Sequence, residues 1–398
     1  MIEGWLFLSS IGIMDSIEIL EKLVGFPTVS KDSNLELIEY VEQLLGTQGI
    51  KTARVYNQDR TKTNLLIKVG PPELPGVLLS GHSDVVPVED QNWSVPPFEL
   101  TSTQDRLYGR GTTDMKGFVA CALATIMKAR DRSLRTPLWL AISYDEEVGC
   151  IGVRRLLDMM AGSTIKPLFC IVGEPTMLKV ANGHKGKVFL RANCHGRGGH
   201  SALAPKALNA LHLACDFIDR LRVKQQELAN SGKQDDSYEI PYTTIHTAKI
   251  EGGVALNIVP ATSSVDFEMR HLPEDNPSLI LEELQENADK ISESHREHFS
   301  EACIAIEQIS SYPGLATPKQ APVVDFVKSL TGTNDTFKVA FGTEGGLFQD
   351  RLGVPTVVCG PGSMEQGHKA DEFITREQIS RCDQMLAKLL DRLEVGII

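Results

Sequence analysis

The chain has 398 residues, more than one hydrophobic core usually fills, so two domains are expected. Hydrophobic residues make up 42% and charged residues 23% of the sequence, which argues against an intrinsically disordered protein. With 40 Lys and Arg against 52 Asp and Glu, the net charge is −12, and no basic run interrupts it, so neither nucleic acid nor an anionic membrane is expected as a partner.

The N-terminal apolar segment, residues 5–11, is too short to span a bilayer, and no Lys or Arg precedes it. We interpret it as an extension ahead of a helix that begins near Asp15, with a cleaved signal peptide as the weaker alternative. The eight cysteines are scattered singly, without a C-x-x-C pair, and several lie in apolar runs. This pattern is typical of free, buried thiols in a reducing compartment, so a cytoplasmic protein is expected.

Most of the chain alternates between predicted strands and helices. Apolar residues at helical spacing between positions 16 and 46 predict two helices. The elements that follow are strands at 64–69 and 76–80, a helix at 118–129, a strand at 138–142, a helix at 153–160 and a strand at 168–172, and, near the C-terminus, a helix at 323–330, a strand at 354–359 and a helix at 376–395. Such alternation predicts an α/β domain with a central, mostly parallel sheet flanked by helices.

The pattern changes between these two α/β segments. It predicts a strand at 188–192, a helix at 207–228, strands at 243–250 and 264–269, a helix at 279–298 and a strand at 304–309. This βαββαβ order is typical of a small open sheet with two helices on one face. We therefore predict a discontinuous α/β domain, residues 1–185 and 313–398, interrupted by an inserted domain, residues 186–312.

Three carboxylates, Asp145-Glu146-Glu147, stand side by side just after a predicted apolar strand. Adjacent like charges repel, so a folded chain needs positive charge beside them. Other acids and histidines also lie at predicted strand ends or in Gly-rich turns: His82, Asp84, Asp114, Glu174 and His368. Ligands of an open α/β sheet collect beyond the carboxyl ends of its strands. Each residue alone is a weak signal, but together two histidines and several carboxylates favour a site for Zn²⁺ or a similar ion.

Five motifs carry a resemblance to a known family: "GHSDVVP" at 81–87, "GRGTTDMKG" at 109–117, "DEEVG" at 145–149, "GEPT" at 173–176 and "GH" at 367–368. In this order they resemble the co-catalytic metallohydrolases that include acetylornithine deacetylase, succinyl-diaminopimelate desuccinylase, aminoacylase and the glutamate carboxypeptidases. The resemblance covers nearly the whole chain apart from the first dozen residues. It implies that the α/β domain is catalytic and that residues 186–312 form a lid and dimerisation domain.

The resemblance also implies a dinuclear metal centre, with Zn²⁺ expected and Co²⁺ or Mn²⁺ as alternatives. One ion would be held by His82, Asp114 and Glu174, and the other by Asp114, Glu147 and His368. Glu146 would be the general base that takes a proton from the water between the ions. Asp84 would orient His82 by accepting its second ring N–H, and Asp145 would brace the turn. The peptide bond after Asp114 is expected to be cis.

In the inserted domain, the resemblance assigns His200 of "GRGGHSA" to the oxyanion in the active site of the partner subunit. It assigns Asn257 and Arg270 to substrate binding, with Arg270 forming bidentate hydrogen bonds to the α-carboxylate. From the residues alone, Arg270 is better interpreted as an exposed strand arginine. A lid that serves the partner's site implies a homodimer and a closing motion.

The substrate is suggested by two stretches, "AFGTEGGLF" at 340–348 and "CGPGSMEQGHKADEF" at 359–373, which look most like the acetylornithine deacetylase branch. Glu344 could accept the side-chain ammonium of ornithine, although a structural hydrogen bond is an equal alternative. We expect hydrolysis of Nα-acetyl-L-ornithine, a step of arginine biosynthesis. A related N-acyl or N-succinyl amino-acid deacylase or a dipeptidase is the alternative. A metal-loaded protein that binds N-acyl amino acids without turnover is less favoured, since Glu146 accompanies all five predicted ligands.

Overall fold

The computed structural model describes residues 14–397, so the predicted N-terminal extension lies outside the described residues. The predicted start of the first helix is confirmed: Asp15 caps it, and its side chain accepts hydrogen bonds from the N–H groups of Ile17 and Glu18. The described residues form two compact units. The first contains the residues up to Val180, Gln320–Thr336 and the residues from Arg351 onward; the second contains Ala181–Lys319 and Phe337–Asp350.

The helices within residues 14–397 agree with the predicted ones to within a few residues, except that the short α8 has no predicted counterpart. They are α1 (Ser16–Val24), α2 (Leu35–Gly46), α3 (Gly117–Ala129), α4 (Val153–Ala161), α5 (Ala210–Ser231), α6 (Pro277–Arg296), α7 (Pro322–Thr331), α8 (Gly345–Leu352) and α9 (Arg376–Val395).

The strands include all the predicted ones and several short additions. In chain order they are β1 (Thr52–Tyr56), β2 (Thr63–Val69), β3 (Val77–His82), β4 (Thr101–Ser102), β5 (Arg106–Tyr108), β6 (Leu138–Ser143), β7 (Phe169–Pro175), β8 (Val180–His184), β9 (Gly186–His195), β10 (Gly199–His200), β11 (Thr244–Gly252), β12 (Ile258–Val259), β13 (Thr262–His271), β14 (Cys303–Tyr312), β15 (Leu315–Ala316), β16 (Thr336–Val339), β17 (Thr356–Gly360) and β18 (Phe373–Thr375).

The sheet of the first unit has the order β1-β2-β6-β3-β7-β17. Strands β6, β3, β7 and β17 run parallel, which confirms the predicted α/β class. The sheet is mixed, because β1 and β2 form an antiparallel hairpin and β2 pairs antiparallel with β6. Strands β3, β6 and β7 are buried throughout, and this explains their almost continuous apolar sequences. Their carboxyl ends meet at one edge, where the site described below lies.

The second unit shows the predicted βαββαβ order in β9, α5, β11, β13, α6 and β14. Its antiparallel sheet has the order β11-β13-β9-β14. Side chains of β9 and β13 alternate between buried and half-exposed, so one face of the sheet is covered. The covering core includes Phe217 of α5, Leu284 of α6 and Phe267 of β13. This unit contains all of residues 186–312 and extends beyond them on both sides.

None of the eight cysteines, which all lie within the described residues, forms a disulfide, as their scattered positions predict, and six of them are buried. Among the described helices, none combines the length and the apolar character that crossing a bilayer requires.

Candidate metal centre

The predicted metal ligands lie at the carboxyl edge of the parallel strands in the first unit. His82 is the last residue of β3. Glu174 lies inside β7, which continues to Pro175 instead of ending at residue 172 as predicted. The residue before Glu174 is Gly173, where any Cβ would lie only 2.0 Å from the ring of Phe118, so the close packing of α3 on β7 requires glycine there.

The remaining ligand candidates come from turns and loops. Asp114 lies in a distorted turn, Thr112–Lys116, that leads into α3, and the peptide bond between Asp114 and Met115 is cis, as the family resemblance predicts. Glu147 follows β6. His368 lies in the loop between β17 and β18 and has a left-handed backbone with φ of 60°. These five residues are far apart in sequence, and the fold brings them to one place.

The two carboxylate oxygens of Asp114 face different histidines. His82 Nε2 lies 3.1 Å from Oδ1 of Asp114 and 3.5 Å from Oε1 of Glu174. His368 Nε2 lies 3.0 Å from Oδ2 of Asp114 and 3.1 Å from Oε2 of Glu147. One donor atom from each of His82, Asp114 and Glu147 falls within 4.8 Å of the other two. The histidine contacts thus share Asp114, and a second group of donor atoms within 4.8 Å of one another comes from His82, Glu146 and Glu174.

Bound protons compensate the charges of this cluster when no cation is present. Burial and the neighbouring charge of Asp114 raise the pKa of Glu174 to about 8 and that of Glu147 to about 7. Hydrogen bonds to Asp114 and Glu147 raise the pKa of His368 to about 11. Burial opposes a charged His82, but the carboxylates of Asp114 and Glu174 outweigh it and raise its pKa well above the usual value. The metal-free cluster therefore retains protons that a divalent cation would displace.

One buried atom also fits a metal ligand. Oε2 of Glu174 is inaccessible to solvent and has no hydrogen-bond partner among the described residues. A buried carboxylate oxygen without a donor is costly unless a cation compensates it. Imidazole nitrogen and carboxylate oxygen are ligands that Zn²⁺ and related ions accept, so the donor set fits the expected metals.

Asp84 makes contacts that differ from the predicted ones. His82 Nδ1 lies 2.9 Å from the main-chain oxygen of Asp84 but 3.6 Å from its carboxylate. The carboxylate instead accepts hydrogen bonds from the main-chain N–H groups of Glu146 at 3.1 Å and Glu147 at 3.3 Å, and from the Ser30 hydroxyl at 2.7 Å. The closer contact of the imidazole is therefore with the main chain of Asp84.

The three consecutive acids, Asp145-Glu146-Glu147, lie in separate environments. Asp145 forms an ion pair with Lys62, whose Nζ lies 2.6 Å from Oδ1. Glu146 accepts a hydrogen bond on Oε1 from the Cys150 thiol at 3.4 Å. Glu147 faces His368. Positive charge for the first acid therefore comes from a lysine that sequence reasoning missed, since it lies 83 residues away in the chain.

The predicted residues of the second unit fall into three places. His200 of β10 and Asn257 are exposed neighbours. The N–H of Ser201 donates a hydrogen bond to the main-chain oxygen of Asn257. In the antiparallel β10–β12 pair, His200 lies opposite Ile258. Arg270 is half-buried on β13 and donates to Glu268 at 2.9 Å and to the Tyr312 hydroxyl at 3.3 Å.

Glu344 lies apart from these residues. It is buried just before α8, and its main-chain oxygen accepts hydrogen bonds from the N–H groups of Leu347 and Phe348. None of these contacts inside the second unit brings Arg270 or Glu344 to His200.

Sequence reasoning also missed three buried charged residues around Asp114. Arg110 and Lys116 belong to the "GRGTTDMKG" motif, and Glu372 follows His368 by four residues. All three are 1% exposed. Lys116 Nζ donates to the main-chain oxygen of Phe26 at 2.8 Å, and burial lowers the pKa of this lysine to about 7. Charged residues within a glycine-rich, ligand-bearing motif were the available signal, but their partners could not be read from the sequence.

Comparisons with known proteins identify the family. The family described as "Peptidase family M20/M25/M40" matches residues 78–392. The acetylornithine deacetylase of Pasteurella multocida (strain Pm70) is 32% identical over 387 residues, 96% of this chain and 98% of that protein. The acetylornithine deacetylase of Aliivibrio fischeri (strain MJ11) is 32% identical over 360 residues, 90% of this chain and 92% of that protein.

Solved structures share the fold. An M20 family metallo-carboxypeptidase from Sulfolobus solfataricus matches with a TM-score of 0.79 and 19% identity, covering 96% of this chain and 100% of that one. A dinuclear metal-binding peptidase of the M20 family from Bacillus subtilis matches with a TM-score of 0.69 and 15% identity, covering 96% of this chain and 98% of that one. With the family match over most of the chain and a donor cluster suited to divalent cations, the protein belongs to peptidase family M20/M25/M40 and is a metal-dependent hydrolase.

Proposed function

We propose that the protein hydrolyses Nα-acetyl-L-ornithine to ornithine and acetate, a step of arginine biosynthesis, in the cytoplasm. The observation that carries this proposal is the 32% identity, over 96% of the chain, with a protein named acetylornithine deacetylase. The donor cluster at the sheet edge supports the chemistry, because amide hydrolysis is a reaction that divalent metal centres promote.

The proposed centre holds two divalent ions, with Zn²⁺ expected and Co²⁺ or Mn²⁺ as alternatives. His82, Asp114 and Glu174 are the proposed ligands of one ion, and Asp114, Glu147 and His368 those of the other. The paired contacts of Asp114 with the two histidines support this division. When bound, such ions lower the pKa of a coordinated water and polarise the carbonyl of the substrate amide.

Glu146 is the proposed general base. Its carboxylate takes a proton from the attacking water and returns it to the leaving nitrogen, so the C–N bond breaks, the water oxygen remains in acetate and ornithine leaves as the amine. The hydrogen bond from its main chain to Asp84 and the one from the Cys150 thiol support a fixed orientation of this side chain. Asp84 is therefore a positioning residue for the base as well as for His82.

The second unit is proposed to act as the lid and dimerisation domain of a homodimer. Nδ1 of His200 accepts a hydrogen bond from the N–H of Ala202 at 3.1 Å, so the neutral imidazole carries its proton on Nε2. That nitrogen can donate to an oxyanion, which supports the proposed role of His200 in the partner subunit's active site. The residues proposed to bind the substrate are Asn257, Arg270 and Glu344. The hydrogen bond from Arg270 Nε to Glu268 restrains the guanidinium of Arg270.

The test is a comparison of substrates on chelator-stripped protein reloaded with Zn²⁺ or Co²⁺. Release of free amine is measured from Nα-acetyl-L-ornithine, N-succinyl-L,L-diaminopimelate, N-acetyl-L-methionine and a dipeptide. We expect no turnover before metal is added and the highest kcat/KM for Nα-acetyl-L-ornithine afterwards. A higher kcat/KM for another substrate would replace the proposed one while leaving the metal chemistry in place.

The same experiment also tests the alternative that the protein binds N-acyl amino acids without hydrolysing them. If calorimetry shows that reloaded protein binds Nα-acetyl-L-ornithine but every substrate stays intact with each metal, the hydrolase proposal is wrong. The Glu146→Gln variant is the control for contaminating deacylases, since it is expected to retain the metal ions and lose turnover.

A further inference from the structure

We infer that Arg110, Glu372 and Gln91 form a tether that positions Asp114 and His368, so that losing it weakens the ion held by Asp114, Glu147 and His368 more than the other ion. This inference rests on the proposed metal ligands. None of the three tether residues belongs to the predicted donor sets, so we regard them as positioning residues.

Glu372 acts on the main chain at Asp114. Oε1 of Glu372 accepts hydrogen bonds from the N–H of Thr113 at 2.9 Å and from the N–H of Asp114 at 3.1 Å. Its other oxygen accepts from Arg110 Nη1 at 2.8 Å. Both side chains of this ion pair are 1% exposed, so the contacts are hardly screened by water. The Glu372 carboxylate therefore fixes the turn from which the shared ligand projects.

Arg110 extends the tether to the loop that carries His368. Nη1 donates to the main-chain oxygen of Lys369 at 3.2 Å, and Nη2 donates to Oε1 of Gln91 at 2.5 Å. Gln91 in turn donates from Nε2 to the main-chain oxygen of His368 at 3.3 Å. The carbonyl groups of His368 and of the residue after it are thus both held by one connected set of side chains.

The two histidines differ in how their main chains are supported. His82 ends a central strand, pairs with Ser143 of β6, and its ring contacts the main-chain oxygen of Asp84. His368 lies in a loop with a left-handed backbone, a conformation that costs energy for a residue with a side chain and persists only when neighbours hold it. Because Glu174 also lies in a strand, the first donor set depends on the tether only through Asp114, whereas the second depends on it through both Asp114 and His368.

The test measures Zn²⁺ affinity by calorimetry on chelator-stripped protein. Gln91→Ala is the main variant, since Gln91 is only partly buried and the Arg110–Glu372 pair remains. Two parent variants isolate the sites: His82→Ala leaves the donor set with His368, and His368→Ala leaves the donor set with His82. Arg110→Lys adds a stronger perturbation, because lysine retains the charge but not the two-pronged geometry.

In the His82→Ala parent, adding Gln91→Ala is expected to raise the Kd for Zn²⁺ about tenfold, within the 10–100-fold range of residues that orient metal ligands. In the His368→Ala parent, the same change is expected to leave the Kd within about a factor of two. Gln384→Ala, a substitution on the exposed face of α9, is the matched control and should change neither value.

Equal effects in both parents, or no effect in either, would overturn the tether. The outcome does not depend on the substrate, so it separates this inference from the deacetylase activity. If wild-type protein binds no Zn²⁺, the proposed metal centre itself is wrong, and this inference is wrong with it. Should Arg110→Lys fail to fold, Gln91→Ala still decides the question.

Discussion

The main-chain N–H of Glu146 donates a hydrogen bond to Oδ1 of Asp84 at 3.1 Å. The other carboxylate oxygen of Asp84 accepts from the N–H of Glu147 and from the hydroxyl of Ser30. Asp84 is 2% exposed, so these bonds form away from bulk water. One buried carboxylate thus holds the main chain of both the proposed base and a proposed metal ligand, and this relationship leads to the first prediction.

Asp84→Asn should lower kcat about 10–100-fold, because the new amide NH₂ faces a main-chain N–H and leaves a buried donor unpaired, at a cost of about 1–3 kcal/mol. The measurement is steady-state deacetylation with Zn²⁺ content determined in parallel. Ser30→Ala removes only the hydroxyl donor and should have a much smaller effect. An Asp84→Asn enzyme with wild-type kcat would show that the carboxylate does not position the base.

Glu146→Gln should lower kcat by about 10²–10⁴-fold while Zn²⁺ binding stays at the wild-type level, because the amide retains the shape of the side chain but cannot take a proton. Calorimetric titration of Zn²⁺ and single-turnover kinetics measure the two properties separately. Full activity would contradict the base assignment, and a lost ion would identify Glu146 as a ligand instead.

Lys62→Met should lower the free energy of unfolding by about 2–3 kcal/mol, because Asp145 would lose its ion-pair partner. Burial already raises the pKa of Asp145, and Lys62 opposes that rise. The side chains are 12% and 16% exposed, so water compensates the loss poorly.

Urea denaturation measures this change, and Lys31→Met is the matched control. Lys31 pairs with Glu89 at 2.8 Å, but these side chains are 61% and 57% exposed, so its loss should hardly alter stability. Equal effects of the two substitutions would mean that burial of the Lys62–Asp145 pair does not matter.

His184 should make stability depend on pH. Its Nδ1 lies 2.9 Å from the main-chain oxygen of Lys185, and the N–H of Gly346 donates to Nε2 at 3.3 Å, so the ring is neutral with its proton on Nδ1. Burial lowers the pKa of His184 to about 4. As the pH falls below about 6.5, the unfolded chain therefore binds the extra proton first, and stability is lost progressively down to about pH 4.

Between pH 7 and pH 5, wild-type protein should lose about 2 kcal/mol more stability than His184→Gln, which cannot take up that proton. Urea denaturation of both proteins in the same metal-free buffers measures the difference. His246→Gln, at an exposed position of β11, should retain the wild-type pH profile. Parallel profiles for wild type and His184→Gln would contradict the buried neutral state.

The sequence predicted most elements because their apolar spacing is regular. The predicted closing helix, 376–395, has the bounds of α9, and the predicted strand at 138–142 is one residue shorter than β6. The sequence reading missed β1, "TARVY", because it is an edge strand of mixed polarity with only partly buried side chains. It also ended β7 too early, at residue 172, whereas the strand continues through Gly173, which packs closely against Phe118, to Pro175.

By itself the sequence determined the class of the fold, the family motifs and the types of donor atom, because these depend on residue identity and short-range spacing. Only the tertiary structure decided which atoms meet. In the fold, the carboxylate of Asp84 accepts a hydrogen bond from the main chain of Glu146 instead of from His82. Arg110 forms an ion pair with Glu372, which lies 262 residues away in the chain. Such contacts depend on how strands and loops converge at one edge of a sheet, a long-range property that no local pattern carries.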